Sequence, residues 1–182
     1  LVEISDSVAE ALSKYQGKLS LSGLEDISDK AAESLSKHQG HLNLVGLSYL
    51  SDELAIVLAG HVGGLTLGGL SALSNEVATA LSKSQGDLKL FGLDDLSDEA
   101  AITLGTHVGG SLTLSRFWGE LSLVALRGLA AHKGELGLLS SEMVSDSEAL
   151  ILAEHIGELY FNPKDGLSES TIQALEKKEG TI

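Results

Sequence analysis

The chain has 182 residues, no cysteine and a formal net charge of −14. This acidity argues against nucleic-acid binding, which requires a basic surface, and against attachment to anionic membranes. The absence of cysteine excludes disulfides, thiolate metal sites and a thiol nucleophile, and no apolar run approaches the roughly 18 to 20 residues that a membrane span needs.

A unit of 23 residues recurs along the chain, beginning with a partial copy from Leu1 to Lys18. Position 1 denotes the first leucine of each later unit. Every residue belongs to the array of about eight units, so we predict a single domain over residues 1–182 that is a fragment of a longer array with uncapped ends. The later units start at Leu19, Leu42, Leu65, Leu88, Leu112, Leu136 and Leu159.

The first part of each unit predicts a short strand. In "LKLFGL", which starts at Leu88, positions 1 and 3 are apolar and the residue between them is free. This alternation is typical of a strand with one buried face. Position 5 is often glycine, as at Gly92, which suits a turn that leaves the strand.

The second part of each unit predicts a short helix. Position 10 is serine in every copy and acidic residues often follow it, as in Ser97, Asp98 and Glu99. A serine N-cap followed by acids in the first turn favours a helix start. Positions 14 and 17 are apolar and give the helix one buried face. Position 22 is glycine in all eight copies, which we interpret as a helix-ending residue with a left-handed φ.

Stacked units can bury the apolar face that a single unit would expose. We therefore predict an α/β solenoid with a parallel sheet on one side and short helices on the other. Because strands pack more closely than helices, the sheet should be concave and the helical side convex. Seven strands spaced by about 4.8 Å would form a sheet roughly 30 Å wide.

The unit resembles the leucine-rich repeat family, most closely its cysteine-containing subtype. In "LKLFGLDDLSDEA", Leu93 stands at the position of the cysteine, and Ser-Asp replaces the usual Thr-Asp. The resemblance implies a leucine-rich-repeat solenoid that binds a protein through its concave sheet. It covers the whole chain, but the Asn or Cys ladder that satisfies backbone groups of the turn in this family is missing. Water or backbone bonding around the glycine at position 5 must replace it.

Positions 23, 2 and 4 are expected to point outward from the concave sheet. Small residues dominate there, so the larger side chains stand out as candidate contacts, since aromatic residues are common interface anchors. The alternative is that they are scattered surface apolar residues, which are normal. The predicted binding residues on this face are Val45, Lys89, Phe91, Leu139 and Tyr160.

The segment "SRFWGELSLV" interrupts the repeat in the unit that follows an extra Ser111. It contains one extra residue, and Arg116 replaces the glycine at position 5. Only one of its two aromatic residues can fill the core position 6. The other would be exposed beside Leu123 and Val124. We predict that Arg116 and Trp118 contact a partner or a second copy of the chain, because an exposed tryptophan with apolar neighbours is typical of an interface; otherwise the segment is a trace of the repeat's history.

Position 20 is histidine in five copies, which raises the possibilities of metal binding or pH sensing. Side chains one repeat apart cannot surround a single tetrahedral metal ion, and no carboxylate recurs at a fixed spacing from the histidines. We therefore interpret the column as structural, close to the C-terminus of each helix, where protonation would be favoured, and expect a modest sensitivity to acid. The column consists of His38, His61, His107, His132 and His155.

Every second unit carries an apolar residue at position 15, where the side chain should face outward from the helix. The residues are Ile56, Ile102 and Leu150. Two explanations remain open. We favour the first, in which these helices sit deeper in the fold; in the second, the apolar stripe meets a partner.

No catalytic or cofactor-binding pattern is present in the sequence. The "SDE" segments lack EF-hand spacing and are explained by helix starts. "GHVGG" does not match a phosphate-binding loop, and the serine–histidine pairs arise from the repeat without an orienting acid. We therefore expect no metal and no cofactor, and predict a non-enzymatic scaffold that binds a protein through the concave sheet and the turn near Trp118. The alternative is a structural element that self-associates through uncapped ends.

Overall fold

The computed structural model describes residues 2–115, 121–139, 144–161 and 167–179. Within these residues, seven short strands alternate with eight helices. In chain order the elements are α1 (Asp6–Ser13), β1 (Leu19–Ser20), α2 (Asp29–Leu35), β2 (Leu42–Asn43), α3 (Asp52–Ala59), β3 (Leu65–Thr66), α4 (Asn75–Leu81), β4 (Leu88–Leu90), α5 (Asp98–Leu104), β5 (Leu112–Ser115), α6 (Leu123–Ala130), β6 (Leu136–Leu139), α7 (Asp146–Leu152), β7 (Leu159–Phe161) and α8 (Glu169–Glu179).

The strands form one open parallel sheet in chain order, and each strand pairs with the strand of the next repeat. The first leucines of consecutive units are opposite each other across the sheet, as Leu19 is opposite Leu42 and Leu42 is opposite Leu65. The register continues unbroken to β7. The predicted α/β repeat solenoid is confirmed, with strands and helices recurring at the spacing of the unit.

A continuous apolar core lies between the sheet and the helices. Strand leucines at positions 1 and 3, such as Leu42 and Leu44, are fully buried, and so are the helix residues at positions 14 and 17, such as Ala32 and Leu35. Leu93, at the position of the family's cysteine, is also fully buried. Leucine at this position is thus part of the apolar core.

Serine at position 10 begins the helices as predicted. Ser97 has extended backbone angles, and its Oγ accepts a hydrogen bond from the backbone N–H of Ala100 at 3.1 Å. The same bond recurs at the starts of α1 to α6, while α7 begins with a capping box formed by Ser145 and Glu148. Each cap satisfies one of the amides that a helix start leaves unpaired.

The interpretation of the position 22 glycines as left-handed helix ends was wrong. Among the described glycines, only Gly17 has a positive φ, at +134°. Helix α2 ends at Leu35, well before Gly40. Glycine is needed for a different reason, since a Cβ atom at Gly40 would overlap the carbonyl oxygen of Gly17, and one at Gly86 would overlap that of Gly63. The backbones of consecutive repeats therefore touch at this position.

The extra residue before β5 is a glycine rather than Ser111. The carbonyl of Ser111 accepts from Leu88 N at 2.8 Å, just as the residue before β4 accepts from β3. Gly109 packs against Gly86, while Gly110 packs beneath Gly134 in the next repeat. The insertion is thus absorbed at Gly109–Gly110, and both the glycine column and the sheet keep their register.

Backbone contacts between repeats are present in the turn that follows the strand. A Cβ atom at Gly69 would overlap the carbonyl oxygens of Leu47 and Val45, so position 5 lies directly on the preceding repeat. Nearby, the backbone N–H of Asp94 donates to the carbonyl of Ser71 at 2.8 Å. The expected backbone bonding is therefore present in this turn.

Candidate binding surface

The outward side of the sheet, called the sheet face below, carries a shallow depression across β1 to β4. Its volume is about 570 Å³. We call it the β1–β4 depression. Strand residues at alternating positions line it, together with the residues just before each strand, because these side chains point away from the core. The lining residues are Lys18, Leu19, Ser20, His41, Asn43, Val45, Gly64, Thr66, Asp87, Lys89 and Phe91.

Three of the predicted binding residues come together in this depression. Val45, Lys89 and Phe91 line it and are each half-buried. Gly68 lies between the two apolar side chains, since a Cβ atom at Gly68 would be 2.9 Å from Val45 Cγ1 and 3.5 Å from Phe91 Cβ. A side chain at Gly68 would therefore collide with Val45, and glycine at this position allows Val45 and Phe91 to approach each other over β3.

Polar groups occupy the other end of the depression. His41 Nε2 and Thr66 Oγ1 are hydrogen-bonded at 2.9 Å. Burial lowers the pKa of His41, nearby Lys89 and Lys18 lower it further, and Asp87 opposes them. Asp87 Oδ1 accepts a hydrogen bond from Ser111 N at 2.8 Å. Of these residues, the sequence analysis selected only Lys89. Lys18, His41 and Asp87 could have been selected as well, because they are titratable residues at position 23.

The remaining predicted residues on the sheet face form a separate group. Leu139 on β6 and Tyr160 on β7 are both exposed. Tyr160 is opposite Gly137, two residues before Leu139 on the neighbouring strand. The Tyr160 hydroxyl donates to Glu158 Oε2 at 2.9 Å, and this hydrogen bond raises the pKa of Tyr160. Strand β5 separates this pair from the β1–β4 depression.

Arg116 and Trp118 lie outside the described residues. Their predicted apolar neighbours, Leu123 and Val124, occupy the first turn of α6 and are exposed as expected. An apolar edge is therefore present next to the interrupted turn.

The histidines at position 20 form a buried column that joins consecutive repeats. The rings of His38 and His61 are nearly parallel, with centroids 6.0 Å apart. His61 Nε2 is hydrogen-bonded to the carbonyl of Gly40, at position 22 of the preceding repeat, at 2.9 Å. His38 and His132 make the equivalent bonds to Gly17 and Gly110. The column thus ties each repeat to the previous one.

The expectation that protonation is favoured was wrong for His61, His107 and His132. Burial lowers the pKa of His61, His107 and His132, and that of His107 falls to about 4. The cost of burying an imidazolium exceeds the attraction of the nearby carbonyls. Among the described residues, no three His, Asp or Glu side chains are arranged to hold a metal ion.

The apolar residues at position 15 face solvent. Ile56, Ile102 and Leu150 are 66%, 46% and 44% exposed, so the favoured explanation that these helices sit deeper was wrong. The same three repeats also expose an apolar residue at position 21, which the sequence analysis missed although it follows the same alternation. These residues are Val62, Val108 and Ile156.

Comparison with known proteins adds no relative to this description. No family model matches the chain, and no curated protein matches its sequence. None of the helices in the described part of the chain is both long and apolar enough to cross a bilayer. The arguments for function therefore rest on the surfaces of the solenoid itself.

Proposed function

We propose that the chain is a leucine-rich repeat scaffold without enzymatic activity, and that it binds a protein partner through the sheet face. The observation that carries this proposal is the β1–β4 depression. There, Val45 and Phe91 come together over Gly68 as an apolar patch, and Lys89 lies beside them. An apolar and aromatic anchor surrounded by polar groups is the usual composition of an interface centre.

Leu139 and Tyr160 form a second exposed apolar group on the sheet face, and their distance from Val45 sets the width of the proposed interface. From β2, which precedes Val45, to β7, which carries Tyr160, the sheet spans five strand intervals, or about 24 Å. An interface area of roughly 800 Å² per partner is about 28 Å across, so a single partner can cover both apolar groups. We include Arg116 and Trp118 in the proposal on the basis of the sequence alone.

The test is capture of partners from a lysate of the source organism by the immobilised protein. Phe91→Ala and Tyr160→Ala each remove an anchor from the sheet face, while Ile102→Ala removes a similar apolar side chain from the helical side. We expect at least one captured protein to be lost with Phe91→Ala or Tyr160→Ala and kept with Ile102→Ala. Capture that survives both sheet-face variants would contradict the proposal.

The alternative function is self-association through the edges of the open sheet. Within the described residues, β1 and β7 each pair with a neighbour on one side only. Unpaired strand edges are templates for pairing with another chain. This alternative predicts a mass that rises with protein concentration and that falls to the monomer when a charged side chain is placed in β7, as in Tyr160→Lys. A constant monomer mass would exclude it.

A further inference from the structure

The charge of the β1–β4 depression is opposite in sign to that of the whole chain. The chain carries a net charge of −14, yet the depression holds Lys18 and Lys89 against one carboxylate, Asp87. At the other end of the sheet face, the exposed residues just before β6 and β7 are Glu135 and Glu158. The sheet face is therefore polarised, with its basic part over β1 to β4.

The two lysines line the depression together with His41. Both are close enough to His41 to lower its pKa, in addition to the larger effect of burial. Asp87 is held at the border of the depression, because its Oδ1 accepts from the backbone of Ser111 on the β5 side. Lys18, just before β1, and Lys89, in β4, thus lie on either side of His41, and with Asp87 they leave one net positive charge in the depression.

The apolar pair lies further along the same strands. Val45 and Phe91 occupy position 4, while Lys18 and Asp87 occupy position 23, just before the strand. Strand residues advance by about 3.3 Å each, so along the strand direction Lys18 is about 13 Å and Lys89 about 7 Å from the apolar pair. A peptide segment of a few residues in extended conformation matches these separations.

We propose that the β1–β4 depression binds an acidic peptide segment of the partner protein. The carboxylates of the segment lie near Lys18 and Lys89, and an apolar side chain packs on the patch that Val45 and Phe91 form. Glu135 and Glu158 disfavour the same segment at the opposite end, which fixes where it binds. This inference rests on the proposed function, since it assumes that the sheet face is the binding surface.

The experiment is selection of a random peptide library displayed on phage against the immobilised chain at low ionic strength. We expect the selected peptides to be enriched in Asp and Glu and to contain an apolar residue. The variant Lys18→Glu/Lys89→Glu should bind synthetic versions of these peptides about tenfold more weakly, because two attractive pairs become repulsive. Added salt should weaken binding to the original chain.

The matched control is Lys37→Glu/Lys83→Glu, which changes the net charge equally at two exposed lysines in turns after α2 and α4. It should leave peptide affinity within about twofold, since these sites are on other surfaces. Equal loss in both double variants, selected peptides without acidic enrichment, or no selected peptide would each overturn the inference. Binding of a single-stranded oligothymidylate with the same dependence on Lys89 would also overturn it. None of these results decides the proposed function, which is tested separately by capture of partners with the Phe91→Ala and Tyr160→Ala variants.

Discussion

At the scale of single residues, a histidine and a glycine act together at the junctions between repeats where position 20 is histidine. His61 Nε2 is bonded to the carbonyl of Gly40. A Cβ atom at Gly63 would overlap that same oxygen and would lie 2.9 Å from His61 Nε2. The junction therefore needs a donor at position 20 and the smallest residue at position 22. Neither residue can be exchanged without changing the contact of two backbones.

Replacing a glycine of this column should destabilise the fold. In Gly86→Ala, the new methyl group would collide with the backbone of Gly63, and we expect a loss of about 2–3 kcal/mol in the free energy of unfolding. Gly60→Ala is the comparison, because its nearest neighbour is Val57 O at 3.2 Å and its backbone is helical. Urea denaturation of both variants measures the difference. Equal stabilities would refute close packing as the reason for glycine.

The histidine column should make stability depend on pH. Burial holds the pKa of His107 at about 4, below the value of about 6.5 expected in the unfolded chain. Its contribution is fully present above pH 6.5 and is lost as the pH falls toward 4, because only the unfolded state binds the proton in that window. The loss from His107 is about 3 kcal/mol by the difference of the two pKa values. His61 and His132 act in the same direction.

The pH effect is measured by comparing urea denaturation of the original chain and His107→Gln from pH 7 to pH 4. Carboxylates that titrate in the same range affect both proteins alike. The variant should lose less stability than the original chain over this interval. Parallel pH curves would show that His107 is not buried in its neutral form.

At the scale of the elements, the helix starts are linked to each other as well as capped. Ser74 Oγ accepts from Val77 N at 3.0 Å within its own helix and donates to Asp52 Oδ1 of the preceding helix at 3.2 Å. Ser28 donates in the same way to Asp6 at 2.7 Å. A single hydroxyl thus begins one helix and attaches it to its neighbour.

Removal of one such hydroxyl should therefore weaken two helices. For Ser74→Ala we expect a loss of about 1–2 kcal/mol, the upper part of the range for N-caps, since the bond to Asp52 is lost as well. Ser71→Ala changes an exposed serine of the preceding loop and should alter stability by less than about 0.5 kcal/mol. Thermal unfolding of both variants provides the measurement, and similar melting temperatures would contradict the double role.

The repeat explains which features sequence reasoning could reach. Strands, caps and buried leucines are local and recur in each unit, so their positions were predictable. The role of Gly86 was not, because a sequence shows a glycine without showing whether φ or a contact 23 residues away requires it. The exposure of Ile56 depends on how α3 is rotated, and the β1–β4 depression depends on the register of four strands. These properties arise only when units are stacked.

At the scale of the whole molecule, the helix starts carry a row of negative charges. Asp6, Asp29, Asp52, Asp98 and Asp146 each occupy the first turn of a helix. The helix dipole stabilises each one, but acids in successive repeats repel one another within a Debye length. Stacking therefore aligns like charges along one edge of the solenoid.

Salt should accordingly stabilise the fold. We expect the free energy of unfolding to rise by about 1 kcal/mol as sodium chloride is added from low to physiological ionic strength, because repulsion within a chain of charge −14 is screened. The more acidic Lys37→Glu/Lys83→Glu variant should show a steeper rise. Urea denaturation at several salt concentrations tests this. A fall in stability on adding the first salt would mean that attractive ion pairs dominate.

Because the strands share one register, whole repeats can be removed or added without changing how the strands pair. Leu42, Leu65 and Leu88 stand at equal height, so removal of residues 65–87 would leave Leu42 opposite Leu88 with the sheet pairing unchanged. Val45 and Phe91 would then lie on adjacent strands, one strand spacing closer to each other. Contact residues on this surface can be brought together or moved apart only in steps of one strand spacing, about 4.8 Å. Gain or loss of whole units would thus change the size of the ligand that fits this surface and would leave the pattern of core residues unchanged.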